Sequence, residues 1–182
     1  PTIYSRCQKI YLKPIKDLYI KDYLVKNNIK KINYNNTLDS IRTINNILNN
    51  DCFSEYELLI IELLRISFSS NQKKESNIQL YDWINKVSLL GNEKIKDFLF
   101  YSIEFLRSAF FVNYNLEKIA PFKSSTNFKI ENLSPYINKK TLRKFVALFE
   151  KSQNYIEQNV NKKMLLTEIA IKTKRLLSFS KN

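Results

Sequence analysis

Glycine is nearly absent from this chain, and that scarcity limits the folds the sequence can adopt. Its 182 residues include one Gly and four Pro. Tight hairpin turns and phosphate-binding loops depend on glycine where φ is positive, so the composition disfavours both a sheet-rich fold and a glycine-rich nucleotide loop. Hydrophobic residues make up 44% of the chain, enough to bury a core. We therefore expect an all-α protein.

The first part of the chain predicts a short extended segment followed by a small helical module. Residues 1–13 contain an apolar run that leads to Pro14, which favours extended backbone before it. Asp17 is placed to cap a first short helix, and Thr37 is placed to cap a second. We assign residues 1–13 to the extended segment and residues 14–52 to the two-helix module.

The remainder, residues 53–182, predicts a separate bundle of five to six helices. Its first helix has the pattern of a capping box between Ser54 and Glu57, with Phe53 stapled onto Leu58. The next helix would place Trp83 inward and end at Gly91 in a left-handed cap. An aromatic-rich helix should follow through the bundle centre, and the connector after it could hold one short helix over residues 116–120.

Two further helices close the predicted bundle. Asn138 is placed to cap the first, whose apolar spacing puts Phe145 and Phe149 on a core face. The final helix runs through KKMLLTEIAIKTKRLLSF. Helical spacing favours core packing over base stacking for Trp83 and the many Phe and Tyr residues.

Positive charge is concentrated at the two ends of the chain. The formal net charge is +13, and residues 1–31 and 136–182 carry all of the excess, because the stretch between them has a net charge of −1. One interpretation is a polyanionic partner, and the other is an AT-rich genome that places Lys wherever a surface tolerates it. The densest cluster is a set of candidate DNA-phosphate contacts, whose alternative is solvated surface charge: Lys139, Lys140, Arg143 and Lys144.

The chain has few of the residues that usually form catalytic sites or bind metals. There is no His, and the two Cys, Cys7 and Cys52, are too few for a structural zinc site. We predict no metal site and two reduced cysteines. Without His, the usual catalytic triads are excluded, so we identify no catalytic site within this chain and leave open whether it belongs to an enzyme. We find no membrane-span pattern and no signal-peptide pattern, so we predict a cytoplasmic protein.

Ser5-Arg6-Cys7, followed by a short apolar run, Pro14 and a helix, resembles the end of the AAA+ ATPase domain in bacterial DNA polymerase III clamp-loader subunits. The far end also resembles the collar of the delta-prime type of that family, including the Tyr155-Ile156-Glu157 step and the Asn159-x-Asn161-x-Lys163 turn. The likeness covers nearly the whole chain and is weakest in its middle. It implies an ATPase stub over 1–13, a lid over 14–52 and an oligomerising collar over 53–182. Further ATPase sequence is then expected before Pro1.

The resemblance implies a role in ATP-dependent loading of a sliding clamp onto primed DNA. Arg6 would act in trans as an arginine finger on the ATP of a neighbouring subunit, while Ser5 and Cys7 would serve packing and turn formation. ATP and Mg²⁺ would be held by neighbours, so this chain would bind no cofactor itself. The implied partners are the gamma/tau and delta subunits, with the clamp and DNA reached through the complex.

The sequence departs from the family in its lid, which is shorter than usual and retains only Asn35-Asn36 of the expected Gly-Asn region. Two alternatives remain at this point. One is the gamma/tau subunit, which shares the Ser-Arg-Cys motif. The other is a free-standing basic helical module that binds nucleic acid directly, motivated by the charge at both ends.

Overall fold

The computed structural model describes Tyr19, Asp22, Tyr23, Lys26 and residues 52–69, 73–116 and 128–178. The chain divides into two compact units, residues 1–32 with 38–49, and residues 33–37 with 50–182. In the first unit the four described residues are helical, in agreement with the predicted first helix, and Tyr19 and Tyr23 are exposed. Apart from Cys52, where the next helix begins, the rest of the predicted segments 1–13 and 14–52 lies outside the described residues and stays a prediction.

The described residues of the second unit form five α-helices. They are α1 (Cys52–Phe68), α2 (Lys73–Ser88), α3 (Asn92–Asn113), α4 (Lys139–Glu157) and α5 (Lys162–Ser178). Two short 3₁₀ turns, Ile130–Asn132 and Ser134–Tyr136, precede α4. No strand occurs in the described ranges, so the all-α prediction is confirmed for them.

Aromatic side chains fill the centre of this bundle. The largest fully buried ones come from α2, α3 and α4, and α3 alone buries ten residues. Burial of such rings contributes both area and tilted ring contacts, such as the 6.2 Å centroid distance between Trp83 and Phe98. The Trp83 indole also donates a hydrogen bond of 2.9 Å to the Leu59 carbonyl, which fixes α2 against α1. Core packing was predicted for these rings, which are Trp83, Phe98, Phe105, Phe145 and Phe149.

The start of α1 differs from the predicted capping box. The helix begins at Cys52, so Ser54 already lies inside its first turn and cannot be the N-cap. Glu57 is completely buried instead of reaching back to the helix start, and Leu58 is 55% exposed. Helical spacing explains the burial, because Glu57 lies on the same face of α1 as the buried Ile60, Ile61 and Leu64.

Gly91 has a different role from the one predicted. Its φ of −64° and ψ of 158° are extended, and it is the N-cap of α3 rather than a left-handed cap of α2. The positive-φ residues in the described part are Asn115 and Asn159, both at 57°. Asparagine tolerates this region better than other side chains, so it takes the position that glycine usually occupies after a helix.

Both of these helix ends form the paired hydrogen bonds of a Schellman motif. After α3, the amides of Asn115 and Leu116 donate to the carbonyls of Val112 and Phe111. After α4, the amides of Asn159 and Val160 donate to Ile156 and Tyr155 in the same way. These ends let α3 and α4 stop sharply without glycine.

The connector between α3 and α4 was predicted only in part. Most of the helix expected over residues 116–120 lies outside the described residues. The two 3₁₀ turns were not predicted, because three-residue turns have no apolar period of their own. They carry Ile130 and Leu133 into the core and place Asn138 at the start of α4.

Candidate functional site

The predicted motif residues Ser5, Arg6 and Cys7 lie outside the described residues. The role of Arg6 therefore stays a prediction, as does the packing role of its two neighbours. The other predicted set, at the start of α4, is described in full.

The first two turns of α4 bring the four predicted basic residues together. Asn138 caps the helix as predicted, its side-chain oxygen accepting a 2.9 Å hydrogen bond from the Thr141 amide. Thr141, Leu142 and Phe145 are on the core side of the helix, whereas Arg143 and Lys144 lie on its solvent side. All four basic side chains are exposed, and none forms an ion pair within the described part of the chain: Lys139, Lys140, Arg143 and Lys144.

This cluster does not serve the stability of its own helix. Negative charge near its N-terminus stabilises a helix, and the first turn of α4 contains no acidic residue. Each cation placed there opposes the helix dipole by about 0.3–1 kcal/mol at low salt. The Asn138 cap offsets part of that cost. The arrangement can act chemically as a cationic surface for anions, and it contains no nucleophile with an adjacent base.

The turn between α4 and α5 is fixed by polar contacts to the start of α3. The Asn161 side chain caps α5 by accepting from the Met164 amide at 3.2 Å. Lys162 donates to the Leu90 carbonyl at 3.0 Å, and the Asn92 side chain donates to that of Asn159 at 3.2 Å. The asparagines of the Asn159-x-Asn161 pattern thus have structural roles, one at a left-handed helix end and one as a cap.

Lys96 adds an ionic contact at the same end of the bundle. Its ammonium lies 2.8 Å from the Glu93 carboxylate and 3.5 Å from that of Glu157, so it bridges α3 and α4. The hydrogen bond from Lys96 to Glu93 is the main cause that raises the Lys96 pKa, with the Glu157 charge adding to it. The carboxylates at this end are therefore already used in holding the helices together.

A buried polar pair inside the bundle was missed from the sequence. The Tyr101 hydroxyl on α3 donates a hydrogen bond to the Glu57 carboxylate on α1. Burial is the main cause that raises the pKa of Tyr101, and the nearby Glu57 charge raises it further. The sequence did contain the signal, because Glu57 precedes Ile60, Ile61 and Leu64 at core-facing helical spacing.

Other features that could indicate an active site are few in the described part. A groove of about 770 Å³ between α1 and α2 contains one carboxylate, Glu62, which forms a 3.3 Å salt bridge with Lys86. Among the described residues, no three His, Cys, Asp or Glu side chains come together as metal ligands. No helix there is both long and apolar enough to cross a membrane.

Comparisons with protein families, with curated proteins and with solved structures found no match for this chain.

Proposed function

We propose that this chain is part of a delta-prime-like clamp-loader subunit that takes part in ATP-dependent loading of a sliding clamp onto primed DNA. In this role, residues 53–182 act as the collar that joins neighbouring subunits. Arg6 acts in trans on the ATP of a neighbour, and the protein works in the cytoplasm. The partners are gamma/tau and delta subunits, and this chain itself holds no nucleotide.

The observation that carries the proposal is the helical bundle whose five described helices follow the predicted lid in chain order. A collar has to keep its shape while it contacts neighbouring subunits. This bundle has its own aromatic core and hydrogen bonds that join its helices and turns. Exposed apolar side chains remain on the outside of the bundle, including Tyr81 at 62% and Met164 at 71%. Such side chains suit contacts with another helical protein.

The sequence pattern at the α4–α5 turn also supports the proposal. The Asn159-x-Asn161-x-Lys163 pattern belongs to the resemblance, and its two asparagines occupy positions with specific backbone demands. Residues that fill a left-handed backbone position and a helix cap are less expected to match the family by chance than residues on an unconstrained surface. The gamma/tau alternative shares the Ser-Arg-Cys motif, whereas the collar likeness favours the delta-prime type.

The arginine finger is tested in a loader reconstituted with this subunit. We expect Arg6→Ala to lower DNA-stimulated ATP turnover by about tenfold or more, because the planar guanidinium would no longer reach the transferring phosphoryl group. Arg6→Lys keeps the charge but loses the fork of donors, so we expect it to lower turnover as well. Lys94→Gln, at an exposed position on α3, is the control and should leave turnover unchanged.

Unchanged ATP turnover and clamp loading with Arg6→Ala would show that Arg6 does not act as an arginine finger. Co-purification of each variant with the other subunits shows whether a loss of turnover is a loss of assembly instead. A finger defect leaves assembly intact.

A free-standing nucleic-acid-binding module is the second candidate function. It is favoured by the unpaired cations at the start of α4 and by the net charge of +13. This candidate predicts steeply salt-dependent DNA binding by the chain alone and no stable association with loader subunits.

A further inference from the structure

Charge is segregated along the hairpin formed by α4 and α5. The four residues 158–161 join the two helices, so they run antiparallel and the start of α4 lies at the same end as the end of α5. The half of the hairpin next to the turn, residues 149–168, has three Lys and three Glu. The open half, residues 139–148 and 169–178, has no acidic residue and seven basic ones, all exposed: Lys139, Lys140, Arg143, Lys144, Lys172, Lys174 and Arg175.

Most of the charge at the open end is not neutralised by an ion pair. Among these seven cations, only Lys172 has a carboxylate partner in the described part of the chain, Glu168. Lys174 donates to the Ser76 hydroxyl at 3.3 Å, which positions the ammonium without cancelling its charge. The contact also shows that α2 begins at this end of the bundle. Glu75 on α2 and Glu131 before α4 are exposed and form no ion pair with the seven within the described ranges.

We infer that the open end of the α4–α5 hairpin is a contact surface for the phosphate backbone of duplex nucleic acid. This goes beyond the proposed function, because it depends on the hairpin's own charges and holds whether or not the chain assembles with other subunits. Duplex DNA carries one negative charge for about every 1.7 Å of its axis, so a cluster of cations without internal partners matches it in charge.

The composition of the surface favours a nucleic acid over an acidic protein. Protein interfaces are depleted of Lys at their centre and rely on buried aromatic anchors, whereas this surface has five Lys and two Arg among its charges. The one aromatic side chain in the open half, Phe145, is buried, so none there is available for stacking on unpaired bases. Contacts confined to phosphates carry no sequence information, so binding at this surface is independent of sequence.

The test compares two triple variants of the full chain that have the same net charge. The first, Lys139→Gln, Lys140→Gln and Lys144→Gln, neutralises the open end. The matched control neutralises three exposed lysines near the turn: Lys94→Gln, Lys151→Gln and Lys163→Gln. Affinity for a mixed-sequence duplex is measured by fluorescence anisotropy between about 50 and 200 mM salt.

We expect the open-end variant to lower the slope of log K against log salt by about 2 to 3, since each lost phosphate contact removes about 0.9. The control should keep the parent slope, and a second duplex of different sequence should give the same values. The far-ultraviolet circular dichroism of both variants should match that of the parent chain.

Equal losses in the two variants would show that only overall charge matters and would overturn the inference. Absence of duplex binding at low salt would also overturn it. So would binding of polyglutamate in preference to the duplex with the same dependence on the open-end lysines, because the surface would then recognise acidic polypeptide.

Discussion

The buried pair of Glu57 and Tyr101 is a residue-scale feature that links two helices through a polar contact. A carboxyl group that is fully buried needs a hydrogen-bond partner, and the Tyr101 hydroxyl supplies one across the α1–α3 interface. The pair therefore fixes the relative position of two helices that otherwise meet through apolar side chains. The spacing of residues in the sequence shows only that Glu57 faces the core. It does not show that Tyr101 is its partner, because that contact forms only in the folded structure.

We expect Tyr101→Phe to lower the free energy of unfolding by about 1–3 kcal/mol, because the buried carboxyl would lose a partner. The loss can be measured by urea unfolding followed through the fluorescence of Trp83, the only tryptophan in the chain. Tyr81→Phe is the matched control, since Tyr81 is 62% exposed, and should leave stability unchanged. Equal stability of the two variants would contradict the account of the pair.

The same substitution has a pH signature. The pKa of Tyr101 is raised in the folded chain above its ordinary value of 10.0, so the folded state holds this proton after the unfolded state has lost it. The stabilisation is complete below about pH 10 and is lost at higher pH at up to about 1.4 kcal/mol per pH unit. Tyr101→Phe should show a shallower fall in stability above pH 10 than the parent chain, whereas Tyr81→Phe should show the parent slope.

At the scale of elements, the ends of the helices explain how a chain with one glycine folds. The positions with φ of 57° after α3 and α4 are filled by asparagine, while the single glycine occupies an ordinary extended position at the start of α3. The sequence predicted Asn138 as a cap because a polar residue preceded an apolar period. It misassigned Gly91, because a glycine between two helices can end one or begin the next.

This difference predicts opposite effects for two substitutions. Gly91→Ser should raise the free energy of unfolding by about 0.5–1 kcal/mol, since a hydroxyl can cap α3 and the unfolded chain loses freedom. Space is available, because a Cβ atom at Gly91 would meet nothing within 4 Å. Asn115→Ala should lower it by about 1 kcal/mol, because alanine tolerates positive φ less well. Urea unfolding measures both, and a destabilising Gly91→Ser or a neutral Asn115→Ala would contradict the assigned roles.

At the scale of the whole molecule, the helices were predictable and their mutual contacts were not. The helical spacing of apolar residues and the capping residues predicted that α1 to α5 exist. Because these helices are long, they also predicted the all-α class. The cluster at the start of α4 was also visible, because its members are close in sequence. The charge segregation of the α4–α5 hairpin was not, since it appears only when the antiparallel pairing brings residues 139–148 beside residues 169–178.

Assembly with loader subunits is the measurement that tests the proposed function most directly. This chain is mixed with gamma/tau and delta subunits, and the mass of the product is determined by size-exclusion chromatography with light scattering. The account predicts one complex that contains all components and persists at about 1 M salt, where the screening length falls to about 3 Å and contacts made only through charge are weakened. A chain that elutes alone at every salt concentration, while still binding duplex DNA, would contradict it.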